Sequence, residues 1–294
     1  MNHAFFITAY KSFANLNRLL ELLDNAKSTI FLHIDAQIQI PENLYTPNYA
    51  QLHILPQQYM YWASPREVKV ILDMMDYALS YPWEYCHYIT ENDLPLKSVD
   101  EIDTIFTKEN GKQFIDYSPE NYEFAQYKCN TFHLFTNLRN YRSTKLIRYS
   151  SLMFAKFQYK VGFRRCNKYF LHGSAYFSIT RSFATHLVSL KSSILRDYHF
   201  TLCAIEVWLQ TLCFNSPFQS SIANFEKLHI GNLRYIDWTR RNGNSPYTFQ
   251  CSDYHSLIDL VENSDLCFAR KFDENSEVAS KLFLYLKDRS RNCL

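Results

Sequence analysis

The sequence predicts an α/β protein of one large domain, with a mostly parallel sheet and helices on both faces. Three observations lead there. Short apolar runs alternate with helical apolar spacings through the first part of the chain. The 294 residues are 47% hydrophobic, so a large core can form without disulfide staples. With only 5 Gly and 9 Pro, no flexible linker divides the chain.

The elements follow in order. His3 to Ala9 (HAFFITA) is an apolar strand. Phe13, Leu16, Leu19, Leu20, Leu22 and Leu23 then recur at helical spacing, ending near Asp24-Asn25. Thr29 to Ile34 (TIFLHI) is a second buried strand closed by Asp35, and Leu52 to Leu55 a weaker third. Ser64-Pro65 opens a helix that runs through Val68, Ile71, Leu72, Met75 and Leu79. Tyr85 to Thr90 (YCHYIT) is a fourth strand leading into Glu91-Asn92-Asp93. Ser98 with Glu101 three residues on forms a capping box for the next helix. Lys112 to Asp116 reads as a fifth strand and Gly173 to Thr180 as another, with a helix from Arg181. A helix over Leu202 to Phe214 carries Glu206 among Ile205, Val207, Trp208 and Leu209. Such apolar neighbours raise a carboxyl pKa toward the range useful to a general base. A helix-like Lys281 to Arg291 closes the chain.

Ligands of parallel sheets bind outside the carboxyl ends of the strands, which makes Ala9-Tyr10, Asp35 and Glu91 to Asp93 site candidates. A lone Asp after a strand also serves as a turn or cap, so each keeps a structural reading. No G-x-G-x-x-G, P-loop or G-x-S-x-G motif occurs, and Asp never recurs at i, i+2. Glu91-Asn92-Asp93 either ligates a metal or supplies turn chemistry before Leu94-Pro95.

Net charge is +2, yet Phe124 to Arg196 holds thirteen Lys and Arg and no Asp or Glu. Interleaved aromatics there suit an anionic ligand or membrane surface as well as a solvated face. The eight cysteines show no paired spacing, and the ten histidines no metal-ligand pattern. Met1-Asn2-His3 leads directly into the first strand, without a basic start or cleavage site. The expectation is a reduced, cytoplasmic protein with buried free thiols.

Several segments, in order, resemble one family: HAFFITAYKSFANLNRLLELLD, IFLHIDA, YWASPREVKVIL, YITENDLPLKS, HGSAYFSITRS, the Glu206 helix, LRYIDW and FARKFD. Together they are similar to glycosyltransferase family 14, the core-2/I-branching β-1,6-N-acetylglucosaminyltransferases and peptide O-xylosyltransferases, in a compact bacterial form. The match is weakest from Ser118 to Leu171. The resemblance implies a GT-A-type, Rossmann-like fold over 1–294. Its nucleotide-binding half would be 1–117 and its acceptor and catalytic half 118–294, with a basic aromatic insert at 124–170.

It further implies an inverting transferase that moves N-acetylglucosamine or another hexose from a UDP-sugar to a glycan hydroxyl. No metal is obligatory, with Mn²⁺ or Mg²⁺ not expected. By the resemblance, Ala9, Tyr10 and Asp35 flank uracil and ribose, Tyr61 stacks near the base, and Arg270 or Lys271 meets the diphosphate. Glu206 matches the catalytic base. Trp238 matches an acceptor floor (its alternative reading is a core residue), and Arg240 and Asp93 fall on the acceptor side. The second diphosphate cation of the branching enzymes falls near neutral Asn244, where Arg240 or Arg241 could substitute. A glycan or lipid-linked glycan acceptor, in surface polysaccharide or lipopolysaccharide synthesis, would bring peripheral contact with the inner membrane. No nucleic-acid partner is expected. The alternatives from other classes are a nucleic-acid binder and a non-catalytic carbohydrate-binding protein.

Overall fold

The computed structural model describes residues 1–165, 168–223, 231–241 and 243–292. In chain order these form β1 (His3–Ala9), α1 (Phe13–Leu22), β2 (Ser28–Ile34), β3 (Gln51–Ile54), α2 (Arg66–Ala78), β4 (Tyr85–Thr90), β5 (Asp93–Pro95) and α3 (Val99–Lys108). Next are α4 (Tyr122–Asn130), α5 (Lys145–Lys160), β6 (Phe177–Thr180), α6 (Arg181–Ser189), α7 (Lys191–Tyr198) and α8 (Trp208–Phe214). The chain ends with β7 (Arg234–Ile236), α9 (Tyr254–Asn263), β8 (Phe268–Arg270) and α10 (Glu277–Asn292). The described residues gather into two compact units: Met1–Gln57, Pro82–Gly111 and Asn232–Leu294 in the first, Gln58–Tyr81 and Lys112–Gly231 in the second. Each unit draws on interleaved stretches of the chain.

The first unit is built on parallel strands in the order β3, β2, β1, β4. Every residue of β1, β2 and β4 is buried. Alternate side chains of a strand point to opposite faces, so both faces of this sheet are covered. That is the mostly parallel, helix-flanked α/β class expected. A smaller sheet sets β8 antiparallel to β5 and parallel to β7. The capping box at the start of α3 forms as read: Ser98 Oγ accepts from the Glu101 N–H, and the Glu101 carboxylate accepts from the Ser98 N–H at 2.8 Å.

The sheet carries a buried imidazole pair. His3 Nδ1 and His87 Nε2 lie 2.9 Å apart, and both rings are fully buried. Burial lowers His3 to about 4, against a partial upward pull from Asp103, and holds His87 well below its ordinary value. Both are neutral at pH 7. The unfolded chain takes up protons first, near 6.5, so stability falls as pH drops from there toward the folded pKa. The slope is about 1.4 kcal/mol per pH unit for each such histidine. Melting temperature is expected to fall steeply between pH 6 and about 4. The double variant His3→Gln/His87→Gln flattens that slope, and an unchanged slope would remove the pair as its cause.

In the second unit, Arg181 donates to the carbonyls of Leu79 and Tyr81 at 2.5 and 2.6 Å, beyond the end of α2. A cation beside terminal carbonyls also complements the helix dipole. Three expectations differ here. Residues 112–116 form no strand. Gln113 bridges Ile222 in parallel and Phe114 bridges Ser178 antiparallel, so neither ladder extends. The strand expected from Gly173 begins only at Phe177. The helix expected over 202–214 is interrupted, because Cys203 has φ 50° and so adopts a left-handed conformation. A single 3₁₀ turn, Ala204–Glu206, follows it before α8.

Of the cysteines, Cys86, Cys129, Cys213 and Cys267 are buried free thiols, and Cys203 is partly buried. Cys251 is exposed, on the 3₁₀ turn before α9, and corrects the expectation of uniform burial. Cys166 and Cys293 lie outside the described residues. Among the described residues, no helix is long and apolar enough to cross a membrane.

Candidate active site

In the first unit the parallel register brings the predicted strand ends together. Ala9 pairs with Ile34, and the Asp35 N–H donates to the Ala9 carbonyl at 2.9 Å. Thr8 pairs with Thr90 on the other side, so the loops after β1 and β4 adjoin. The Tyr10 N–H donates to Glu91 Oε1 at 3.3 Å, and Asn15 Nδ2 donates to the Glu91 carbonyl at 2.6 Å. Tyr10 is 44% exposed. Asp35 is buried, and its Oδ1 accepts from the Gln37 N–H at 2.8 Å, the turn role that its sequence position also allowed.

Glu91 and Asp93 sit inside the protein. Burial raises Glu91 to about 7, with two backbone N–H groups and Arg270 opposing. Its Oε2 has no hydrogen-bond partner among the described residues. Asp93 accepts from the Thr90 N–H at 2.6 Å and from Arg270 Nη1 at 3.2 Å, across the β5–β8 register. Burial raises its pKa and Arg270 pulls it down. Asp93, expected on the acceptor side, is buried here, and its carboxylate accepts from Thr90 and Arg270. Arg270 is likewise buried and engaged with Asp93.

Lys271 differs from its neighbour. It is half-buried, and among the described residues it makes no ion pair. Its pKa is lowered by burial and by the nearby charges of Lys11 and Arg270, with Asp273 and Glu91 opposing. A partly desolvated cation beside other cations is a place where an anion gains most. A cleft of about 740 Å³ opens in this unit, lined in part by Lys11, Ser12, Phe249, Gln250 and Asp273.

The loop after β7 holds Trp238 and Arg240. Trp238 is 48% exposed, so it is not a core residue. Asp237 accepts from the N–H groups of Thr239 and Arg240 at 2.9 and 3.0 Å, and from Arg240 Nε at 2.6 Å. Burial would raise Asp237, but these donors and the Arg240 charge hold it at about 2. Arg240 also donates to Asp253 at 2.7 Å and stacks 3.9 Å from the Tyr247 ring centre. Arg240, expected on the acceptor side, thus clasps this loop through Asp237 and Asp253 while its side chain stays half-exposed.

The second unit holds Glu206. Glu206 Oε2 accepts from Lys128 Nζ at 2.5 Å and lies 3.5 Å from His172 Nε2. The Lys128 side chain is 2% exposed, that of Glu206 39%. The ammonium also sits 4.2 Å from the Phe124 ring centre. Burial would raise Glu206, but the His172 hydrogen bond and Lys128 together lower it to about 2. The direction expected from its apolar neighbours is thus reversed. Ile205, Val207 and Trp208 are buried, while the carboxylate turns to Lys128 and keeps a solvent-facing side.

Backbone contacts fix this constellation. The Gly173 N–H donates to the Glu206 carbonyl at 2.9 Å, and the Ser118 N–H to the His172 carbonyl at 2.8 Å. The Cys203 N–H donates to the Ala63 carbonyl at 3.0 Å, and both residues are left-handed, at φ 50° and 64°. Two non-glycine residues in that region mark a segment whose shape is imposed by its surroundings. Tyr61 is in the same unit, half-exposed, stacked 5.9 Å from Tyr59 and with Arg66 at 5.3 Å from its ring. Lys128 and His172 were not singled out from sequence. His172 immediately precedes the GSAYF segment, which was the available signal; Lys128 was one cation among thirteen.

The family model described as "Core-2/I-Branching enzyme" matches residues 3–259. Xylosyltransferase sqv-6 of Caenorhabditis briggsae is 22% identical over 212 residues, covering 68% of this chain and 22% of that protein. Its Caenorhabditis elegans counterpart is 23% identical over 228 residues, covering 75% of this chain and 25% of that protein. The chain spans about a quarter of the length of these relatives.

Proposed function

The chain belongs to the Core-2/I-branching enzyme family, and from that premise we propose that it is an inverting glycosyltransferase using a UDP-sugar. One observation carries the reading most: Glu206, ionised and partly exposed, held between Lys128 and His172. In the proposed reaction an acceptor hydroxyl oxygen attacks the anomeric carbon. The bond from that carbon to the diphosphate oxygen breaks, and its electron pair leaves with UDP. The hydroxyl proton passes to Glu206.

A carboxylate with a pKa of about 2 is a weak base, yet it suits a late proton transfer. As the new C–O bond forms, the attacking oxygen gains oxonium character and becomes far more acidic than any carboxylic acid. What Glu206 must supply is a fixed negative acceptor of that proton, ionised at all working pH values. On the leaving-group side Lys271 takes the growing phosphate charge, with Lys11 near it, so fixed cations do the work a metal does elsewhere. The exposed Trp238 ring offers an apolar face to a sugar. A lipid-linked glycan of a surface polysaccharide, met at the cytoplasmic face of a membrane, is the proposed acceptor class.

The test is a screen of UDP-sugars, with Mn²⁺ or EDTA, scoring thermal shift and UDP release with glycan acceptors. Release in EDTA supports the reading, and no shift or release with any UDP-sugar overturns it. Lys271→Ala is expected to weaken UDP binding about 10–100-fold, the loss of one charge-assisted contact. Unchanged UDP affinity in that variant would take Lys271 out of the site.

A further inference from the structure

Helix α5 is turned inside out. Its buried residues are Ser151, Ala155 and Gln158, small or polar. The opposite face presents Leu146, Tyr149, Met153 and Phe157, which are 79%, 58%, 65% and 62% exposed. Their spacing of three and four residues puts them on one stripe. The helix does not need that stripe for its own attachment. The Gln158 side chain accepts from the Phe132 N–H at 3.0 Å and donates to the Phe132 carbonyl at 3.1 Å. Val161, just beyond the helix, is also exposed.

Lys145, Lys156 and Lys160 fall along the same outward face, all exposed. Among the described residues none of the three makes an ion pair. The sequence from Phe124 to Arg196 supplies no acid to neutralise them. We propose that this face of α5 docks on an anionic lipid surface, its apolar stripe entering the headgroup–acyl boundary and its lysines meeting lipid phosphates. An amphipathic helix with lysines beside a bulky apolar row has the composition for lying in that interface. Lysine stems can lie along the apolar layer while their ammonium groups stay at headgroup level.

Charge and shape favour lipid over other occupants. A second copy of the helix would set lysine against lysine. Single-stranded nucleic acid binds by stacking on aromatic rings, and Leu146 and Met153, within the stripe, have no ring. Acyl chains accept leucine, methionine and aromatics alike. The proposal does not depend on the donor, the acceptor or Glu206, and its test needs no sugar.

The experiment is co-sedimentation of the whole protein with vesicles of phosphatidylcholine alone or enriched in phosphatidylglycerol. Binding is expected only to the anionic vesicles. Leu146→Ser/Met153→Ser/Phe157→Ser should reduce it at least about tenfold, as should Lys145→Gln/Lys156→Gln/Lys160→Gln. Equal sedimentation of the apolar triple variant and the parent overturns the proposal. So does a parent that ignores the vesicles and binds polyuridylate through the same residues. Independently, a Met153→Cys variant made in a Cys251→Ser background and labelled with an environment-sensitive fluorophore is expected to blue-shift on anionic vesicles, relative to the identically treated Cys251→Ser protein, and an unshifted spectrum with saturating lipid also overturns it.

Discussion

On the proposed mechanism, Glu206→Gln is expected to lower transfer about 10²–10⁴-fold while UDP affinity stays close to that of the parent, because a base would act only as the acceptor oxygen is deprotonated. The same change leaves Lys128, almost wholly buried, without its counter-charge. Removing one partner of a fully buried pair costs about 3–5 kcal/mol; here the partly exposed Glu206 makes the cost smaller, and a loss of stability accompanies the loss of rate. The double variant Lys128→Met/Glu206→Gln separates the two effects: stability recovers and transfer does not. Lys128→Met alone gives a further signature. Glu206 is held at about 2 against an ordinary 4.5, so its ionised form persists far below neutral pH in the parent. Removing the ammonium raises the carboxyl, and the acidic limb of kcat/KM moves upward with it. A limb that does not move when Lys128 is lost would mean that Glu206 is not the group titrating in the reaction.

Gly173→Ala is the second large effect. A Cβ at that position would lie 2.1 Å from the Asp116 carbonyl oxygen and 2.8 Å from Gln210 Nε2. The amide end of Gln210 could move; a backbone carbonyl cannot. The expected cost is about 3 kcal/mol of stability, at the upper end for overpacking. In whatever fraction folds, the hydrogen bond from the Gly173 N–H to the Glu206 carbonyl is displaced, so transfer falls with stability. Denaturant unfolding and turnover of the purified variant measure both. Ser174→Ala, one residue on, loses only a turn hydrogen bond to the Tyr176 N–H and serves as the comparison. If both variants unfold at the same denaturant concentration, the close approach to Asp116 is not what selects glycine.

What could be read in the sequence was what local chemistry decides. The apolar runs of β1, β2 and β4 were legible because both faces of their sheet are covered, and α3 because its capping box lies within four residues. Ala9, Tyr10 and Asp35 were legible as strand-end residues from topology alone. The failures are all long-range. Gln113 and Phe114 have strand-like side chains but bridge two separate partners. Nothing near Cys203 announces a left-handed residue, since the Ala63 carbonyl that meets it is remote in sequence. Glu206 was legible as a carboxylate among apolar neighbours, but the direction of its pKa shift was not, because Lys128 lies 78 residues away. In α5 the usual assumption that an apolar stripe faces inward gives the wrong side.

The clasp of Arg240 between Asp237 and Asp253 has a bearing on how sugars would be told apart at Trp238. Backbone on either side of the indole is already immobilised, leaving two side-chain torsions to settle when something lands on it. Little ordering remains to be done at the moment of encounter. Affinity differences among related saccharides should then track their own shape and hydration, and loosening the clasp with Arg240→Ala should weaken all of them by a common factor instead of reordering them.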